Sequence, residues 1–346
     1  MIGWFRRIVL APAVIVATFL LVTTIPVWLL VAAIASPVVP GRLRPLRLLS
    51  LLMLHLVLES IMLVELFGLW IASGFGFFIR RPYFERIHYD IVQTYLRIVF
   101  REAKRVAHLE IVTEGEAPDA HPGTPLLVCC RHAGPGDSFT LMYALMHWYG
   151  REPRVVLKDT MAWDPAIDVI LNRLPSRFIS PKGSAGIERE IGDLASTLDE
   201  NDAFVIFPEG GNFTPKRRDR AIEKLRGLGL ERMAQRAERM ENVLAPRPGG
   251  FLAALDAAPD ADVVLVAHTG LDHLLTVGDL WRELPMDKQI IMRWWRIGRE
   301  EIPDERDARI DWLFGWWEEI DRWVAEHRPT DLPPVKRRTR RGVSPS

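Results

Sequence analysis

Two kinds of apolar pattern divide this chain. Residues 8–35 and 46–78 are long apolar stretches with few charges, whereas beyond residue 82 short apolar runs alternate with amphipathic segments. The first stretch is long enough to cross a bilayer, which takes about 20 apolar residues. Arg6 and Arg7 precede it and Ala33-Ile34-Ala35 resembles a cleavage site, but its apolar part is too long for a secretory signal, so an anchor is expected. The second stretch is interrupted by His55, Glu59 and Glu65. Ionisable groups are costly at bilayer depth, so these are expected to face the first helix, a polar cavity or the interface. His55 and Glu59 fall on one helix face. With Pro37, Pro40, Gly41 and Pro45 making the turn, residues 1–81 read as a membrane-anchoring helical hairpin. Arg6, Arg7, Arg80, Arg81 and Arg86 favour both ends in the cytoplasm, and Arg42, Arg44 and Arg47 in the turn oppose this. A shallow hairpin that does not fully span relieves the conflict.

From residue 82 the pattern predicts a helix at 83–107, then a strand at 109–113 and a Gly/Pro loop at 118–125. Strands follow at 126–130, 155–157, 177–180, 203–207 and 263–267. Helices are expected at 138–148, 165–172, 187–198 and 220–243, with a Trp-rich helix at 310–323. Strands alternating with helices argue for an α/β domain over residues 82–330, with a mostly parallel sheet flanked by helices. Residues 331–346 form a basic tail expected to be disordered.

Composition narrows the function classes. The 44 basic and 44 acidic residues cancel, so no global basic field points to nucleic acid. Basic residues cluster locally instead, at Arg80-Arg81, at Lys216-Arg217-Arg218 and in the tail, each beside an apolar or turn segment. Such clusters suit either plain solvation or contact with anionic lipid headgroups. The two cysteines, Cys129 and Cys130, are neighbours in one strand and face opposite sides, which fits reduced core residues of a cytoplasmic compartment. No metal is expected: His268 and His273 lie near one another in sequence, but neither has the partners a zinc site needs.

Candidate chemistry begins where the strand 126–130 ends. His132 is followed five positions on by Asp137, across Gly134-Pro135-Gly136. On a straight helix these two side chains would point about 140° apart. The Gly-Pro-Gly break lets the carboxylate fold back to the imidazole, fixing its tautomer and leaving the other nitrogen free as a base. A second strand, Ala203-Phe204-Val205-Ile206-Phe207, ends in Pro208-Glu209-Gly210-Gly211, presenting a carboxylate where open α/β sheets bind ligands. Taken singly, each motif also fits an ordinary turn.

Together, and in this order, His-x-x-x-x-Asp and Phe-Pro-Glu-Gly resemble the glycerolipid acyltransferase superfamily, typified by the 1-acylglycerol-3-phosphate acyltransferases. The resemblance spans residue 97 to the C-terminal helix. It implies a membrane-bound enzyme, its domain on the cytoplasmic face, that moves a fatty acyl group from acyl-CoA or acyl carrier protein to a lysophospholipid hydroxyl. The favoured acceptor is 1-acylglycerol-3-phosphate, and no cofactor is implied. His132 would be the general base and Asp137 its orienting partner. Glu209 and Gly210 match the third motif, and Glu209 would accept a hydrogen bond from the acceptor hydroxyl. Lys158 resembles the lysine the family carries after this strand. Lys158, Lys182 and Arg247 would contact a phosphate or the donor's CoA. Arg247 lies in Leu244-Ala245-Pro246-Arg247-Pro248-Gly249-Gly250-Phe251, which is similar to a pattern of the lysocardiolipin and long-chain lysophosphatidate branch. The chain departs from the family pattern in three places. Arg131 stands where an asparagine precedes the histidine, Gly211-Asn212-Phe213 replace Thr-Arg-Ser, and Pro181 replaces the phosphate-gripping arginine of the second motif.

Two other classes remain open. One is a hydrolase with Ser138 or another serine as nucleophile activated by His132, although no Gly-x-Ser-x-Gly elbow is present. The other is a non-catalytic lipid-binding protein on the same fold.

Overall fold

A computed structural model of the chain describes residues 2–115, 123–134, 136–179, 186–272, 274 and 276–329. The expected basic tail and Lys182, together with Pro181, lie outside the described residues. The chain opens with α1 (Ile2–Phe5) and a π-helical turn, followed by α2 (Ala11–Thr23), α3 (Ile25–Ala35) and α4 (Arg44–Ala72). The first apolar stretch is thus two helices, broken at Thr24 where Pro26 removes a backbone donor. Next come α5 (Pro82–Glu102), β1 (Leu109–Glu114), β2 (Leu126–Cys130), α6 (Asp137–Tyr143), β3 (Glu152–Lys158) and α7 (Pro165–Leu171). Then follow β4 (Arg177–Ile179), α8 (Ile187–Ala195), β5 (Asp202–Ile206), α9 (Pro215–Gly227), α10 (Glu231–Arg239) and α11 (Pro248–Ala257). The last elements are β6 (Asp262–Thr269), α12 (Val277–Glu283), β7 (Lys288–Ile297) and α13 (Arg306–His327).

The seven strands make one sheet in the order β1-β7-β6-β2-β5-β3-β4. Every pairing is parallel except β6 with β7. β2 and β5 are apolar throughout because both faces are covered. Leu127 and Cys129 pack with Phe204 and Leu265 against α8, α11 and α13, while Leu126, Val128 and Cys130 pack with Leu141 and Leu145 on the other face. Both cysteines are buried and free.

Two expectations are corrected here. The predicted helix at 220–243 is two helices, α9 and α10, because Gly229 at φ +74° reverses the chain between them. The strand β7 was not foreseen: Arg293 and Arg296 interrupt its apolar pattern, and the Arg296 guanidinium pairs with Asp262 at the start of β6.

The apolar hairpin lies along the domain. At its near end Arg44 donates to the carbonyls of Leu284 (2.9 Å) and Arg282 (2.8 Å). Leu48 and Leu51 pack on Ala107, Leu284 and Met286. At its far end Met62, Leu63 and Leu66 share a core with Tyr89, Leu96, Met146, Ala166 and Ile170, and Arg173 donates to Leu66 O at 2.7 Å. The whole 29-residue helix α4, about 44 Å long at 1.5 Å per residue, therefore flanks the part of the chain that carries the sheet. α2 and α3 cover it, with Thr18 Oγ1 bonding Leu56 O. A third clasp holds the N-terminus: Arg6 and Arg7 both pair with the fully buried Asp168 of α7, at 2.9 and 2.8 Å. Glu59 is buried whereas His55 is exposed, and with Asp164 they form a group whose ligand-type atoms lie within 4.8 Å of one another at the seam with α7.

Candidate active site

β2 carries the chain into the middle of the sheet, and Arg131 extends it by donating its N–H to Val266 O of β6. His132 then leaves the sheet at the carboxyl ends of β2, β5 and β6, where a crevice opens in such folds. After the glycine-rich reversal α6 begins at Asp137, whose carboxylate returns to the imidazole. Asp137 Oδ2 is 3.2 Å from His132 Nδ1 and also accepts the Gly134 N–H at 2.6 Å. With Nδ1 facing a carboxylate, Nδ1 carries the hydrogen and Nε2 presents its lone pair. Nε2 makes no hydrogen bond among the described residues, and the side chain is 16% exposed. The Phe207 ring lies against the imidazole, centroids 4.6 Å apart, limiting its rotation. Ser138 makes no hydrogen bond to His132 among the described residues, so this serine is not aligned with the base.

Glu209 sits in the same cluster, but not as the sequence reading had it. Its oxygens are not presented to solvent: Oε1 accepts the backbone N–H of His132 and Oε2 that of Leu244, both at 3.0 Å, and the residue is 1% exposed. Burial pushes its carboxyl up to about 8, opposed by the Arg131 guanidinium and by the two N–H groups. The carboxyl clasps three segments. Phe213 N–H donates to His132 O (2.7 Å) and Arg247 N–H to Pro208 O (2.8 Å), completing the clasp. Gly210, at φ +67°, makes the turn possible, and a Cβ there would stand 2.9 Å from the Arg247 guanidinium.

Around this turn three cations gather. A Cβ on Gly211 would lie 3.6 Å from Lys158 Nζ and 3.5 Å from Arg217 Nη1, and Arg247 borders Gly210. None of the three pairs with a carboxylate among the described residues. Burial first, and then the like charges of Arg217 and Arg247, hold the Lys158 ammonium below its usual range. Cations left together without counter-charge make an anion site. Arg217 was missed as a site residue because it sits inside Lys216-Arg217-Arg218. The missing signal was the helix start: Thr214 caps α9 and Pro215 occupies its first turn, which places Arg217 at the turn. Its neighbour Arg218 turns away, to the carbonyls of Met240 and Glu238. A separate depression of about 500 Å³, lined by Asp260, Asp262, Arg299 and Glu300, lies at the opposite end of β6.

His268, at the carboxyl end of β6, was set aside in the sequence as lacking partners. It is buried beside Asp137, whereas His273 lies outside the described residues.

Residues 97–269, half of the chain, match the family described as Acyltransferase. The fold is similar to that of the 1-acyl-sn-glycerophosphate (LPA) acyltransferase PlsC from Thermotoga maritima. The TM-score is 0.51 at 15% identity, over 81% of this chain and 97% of that one. At that identity the likeness speaks for the fold. No curated protein is significantly similar in sequence.

Proposed function

Because this chain belongs to the acyltransferase family, we propose that it transfers a fatty acyl group from a thioester donor to the hydroxyl of a lysophospholipid. In this reading the acceptor carries a phosphomonoester, as 1-acylglycerol-3-phosphate does. One observation carries the chemistry: His132 Nδ1 faces Asp137 while its Nε2 has no partner among the described residues. Nε2 takes the proton from the acceptor hydroxyl as the oxygen attacks the thioester carbonyl, and Asp137 stabilises the imidazolium so formed. When the tetrahedral intermediate collapses, the C–S bond breaks and the imidazolium returns the proton to the departing thiolate. Atoms and charge balance without an enzyme-bound acyl group. Glu209 acts on this step through the backbone: it fixes the His132 N–H and the Leu244 segment that carries Arg247.

The unpaired Lys158, Arg217 and Arg247 support a phosphate-bearing substrate, with Arg217 and Arg247 standing in for the arginines absent from the second and third motifs. The test supplies purified protein on vesicles with labelled acyl-CoA or acyl carrier protein. Lysolipids bearing a phosphomonoester or a phosphodiester are compared, with products read by mass spectrometry. Preferred acylation of the monoester is expected, and no acylated lipid from any acceptor would end the proposal. Arg217→Ala is expected to raise KM for the monoester about tenfold with kcat within twofold, since a charge-assisted hydrogen bond contributes about 1.5–3 kcal/mol. An unchanged KM would remove Arg217 from the site.

The division into an anchoring hairpin at 1–81 and a transferase domain at 82–330 belongs to the same reading, as does a membrane location. Two helical stretches, Arg6–Thr23 and Arg44–Ala72, are long and apolar enough to cross a bilayer. Yet α4 is attached to the domain near both of its ends. A helix so held lies in the membrane surface instead of crossing it, with Phe19 of α2, Leu30 of α3, and Ile61 and Phe67 of α4 among the outward apolar residues of the hairpin. Arg42 in the turn, 76% exposed, then stays on the domain's side of the bilayer. Arg42→Cys on sealed vesicles is expected to react fully with an impermeant maleimide added outside. Protection until detergent is added would favour a spanning hairpin.

A further inference from the structure

We propose that His268 and Arg131 are positioning residues for the His132–Asp137 pair, holding the carboxylate between two imidazoles. This rests on the acyl-transfer reading above. His268 Nε2 is 3.1 Å from Arg131 O and 3.7 Å from Asp137 Oδ2. Since a carbonyl only accepts, Nε2 carries a hydrogen, and its second neighbour is the Asp137 oxygen that already faces His132 Nδ1. Two donors lie within hydrogen-bond distance of Asp137 Oδ2, Gly134 N and His132 Nδ1, and the His268 Nε2–H that bonds Arg131 O stands beside them, 3.7 Å from the same oxygen.

Arg131 locks His268 in return. Its guanidinium, 1% exposed, donates Nη1 to His268 O at 2.5 Å and Nη2 to Asn242 O at 2.9 Å, and pairs with Asp272. One side chain therefore joins the ends of β2 and β6 to the segment that Glu209 also grips. Asp272 is itself fixed by Thr269 Oγ1 (2.7 Å) and Gly270 N (3.0 Å). Although burial acts to raise it, the Arg131 guanidinium holds the Asp272 carboxyl well below the usual carboxylate range. The titratable and charged groups around Asp137 are Cys130 at the end of β2, Arg131 and His132 just after it, Glu209 beyond β5 and His268 of β6, with Asp272 behind Arg131 and His268.

The consequence is measurable. Removing the N–H dipole beside Asp137 leaves more of the carboxylate's charge for His132, which is then expected to hold its proton to higher pH. His268→Leu is expected to lower kcat about tenfold, with KM for donor and acceptor within twofold, and to move the acid limb of kcat/KM upward by about half a pH unit. His268→Gln, whose amide nitrogen reaches the Nε2 position, should restore both, whereas the shorter His268→Asn should not. Thermal melting checks that each variant is folded; should the leucine variant fail to fold, the glutamine and asparagine pair decides. Equal profiles for glutamine and asparagine, or a leucine variant with unmoved kcat and acid limb, would overturn the inference. The His132 ionisation midpoint, followed by NMR on selectively labelled protein, shows the same ordering without turnover. It tests the positioning role even if no acceptor is acylated, a result that counts against the proposed function alone.

Discussion

Replacing His132 by alanine is expected to cut acyl transfer by about 10²–10⁴-fold, the range that a positioned general base contributes. The fold should survive the change. The imidazole contacts one carboxylate and the Phe207 ring, while the bonds that tie this residue into the domain are made by its backbone N–H to Glu209 and its carbonyl from Phe213. Alanine keeps both backbone bonds. Turnover at saturating donor and acceptor, compared at equal melting temperature, isolates the imidazole. Near-normal turnover in that variant would remove His132 from the chemistry.

The largest effect on stability should come from Asp168→Ala. Asp168 is fully buried and answers two arginines, Arg6 and Arg7, with Asn172 also donating to it. Without it Arg6, only 16% exposed, has lost its counter-charge, and Arg173 lies close by, its guanidinium held down to about 10 first by burial and then by the charge of Arg7. Breaking a buried pair by removing one partner costs about 3–5 kcal/mol, and the lower end applies because Arg7 is nearly half exposed. Thermal melting should show the loss. Limited proteolysis should show early cleavage ahead of α2, and an unchanged digestion pattern would mean that the N-terminus is held by its apolar contacts alone.

The strands that frame the site were readable because β2 and β5 are buried on both faces and so appear as unbroken apolar runs. The approach of Asp137 to His132 was readable from the Gly-Pro-Gly break alone. The route of the hairpin was not. Met53, Glu59, Met62, Leu63 and Leu66 form the inward stripe of α4, but most of the residues between them are apolar too, so periodicity cannot separate a face on protein from a face on lipid. The role of Glu209 was hidden for another reason. Its partners are the backbone N–H groups of His132 and Leu244, and no residue type advertises a backbone donor 77 or 35 positions away. His268 and Arg131 escaped likewise, because what joins them is the neighbouring register of β2 and β6.

In the proposed placement on the membrane surface, a hairpin fastened to the domain at both ends would also decide where lipids are met. A cleft carried by a surface-lying anchor reaches molecules of one leaflet only, and returns its product to that same leaflet. Acylation by such an enzyme adds area to one side of the bilayer. A growing membrane that relies on it needs a separate means of carrying lipid across to the other.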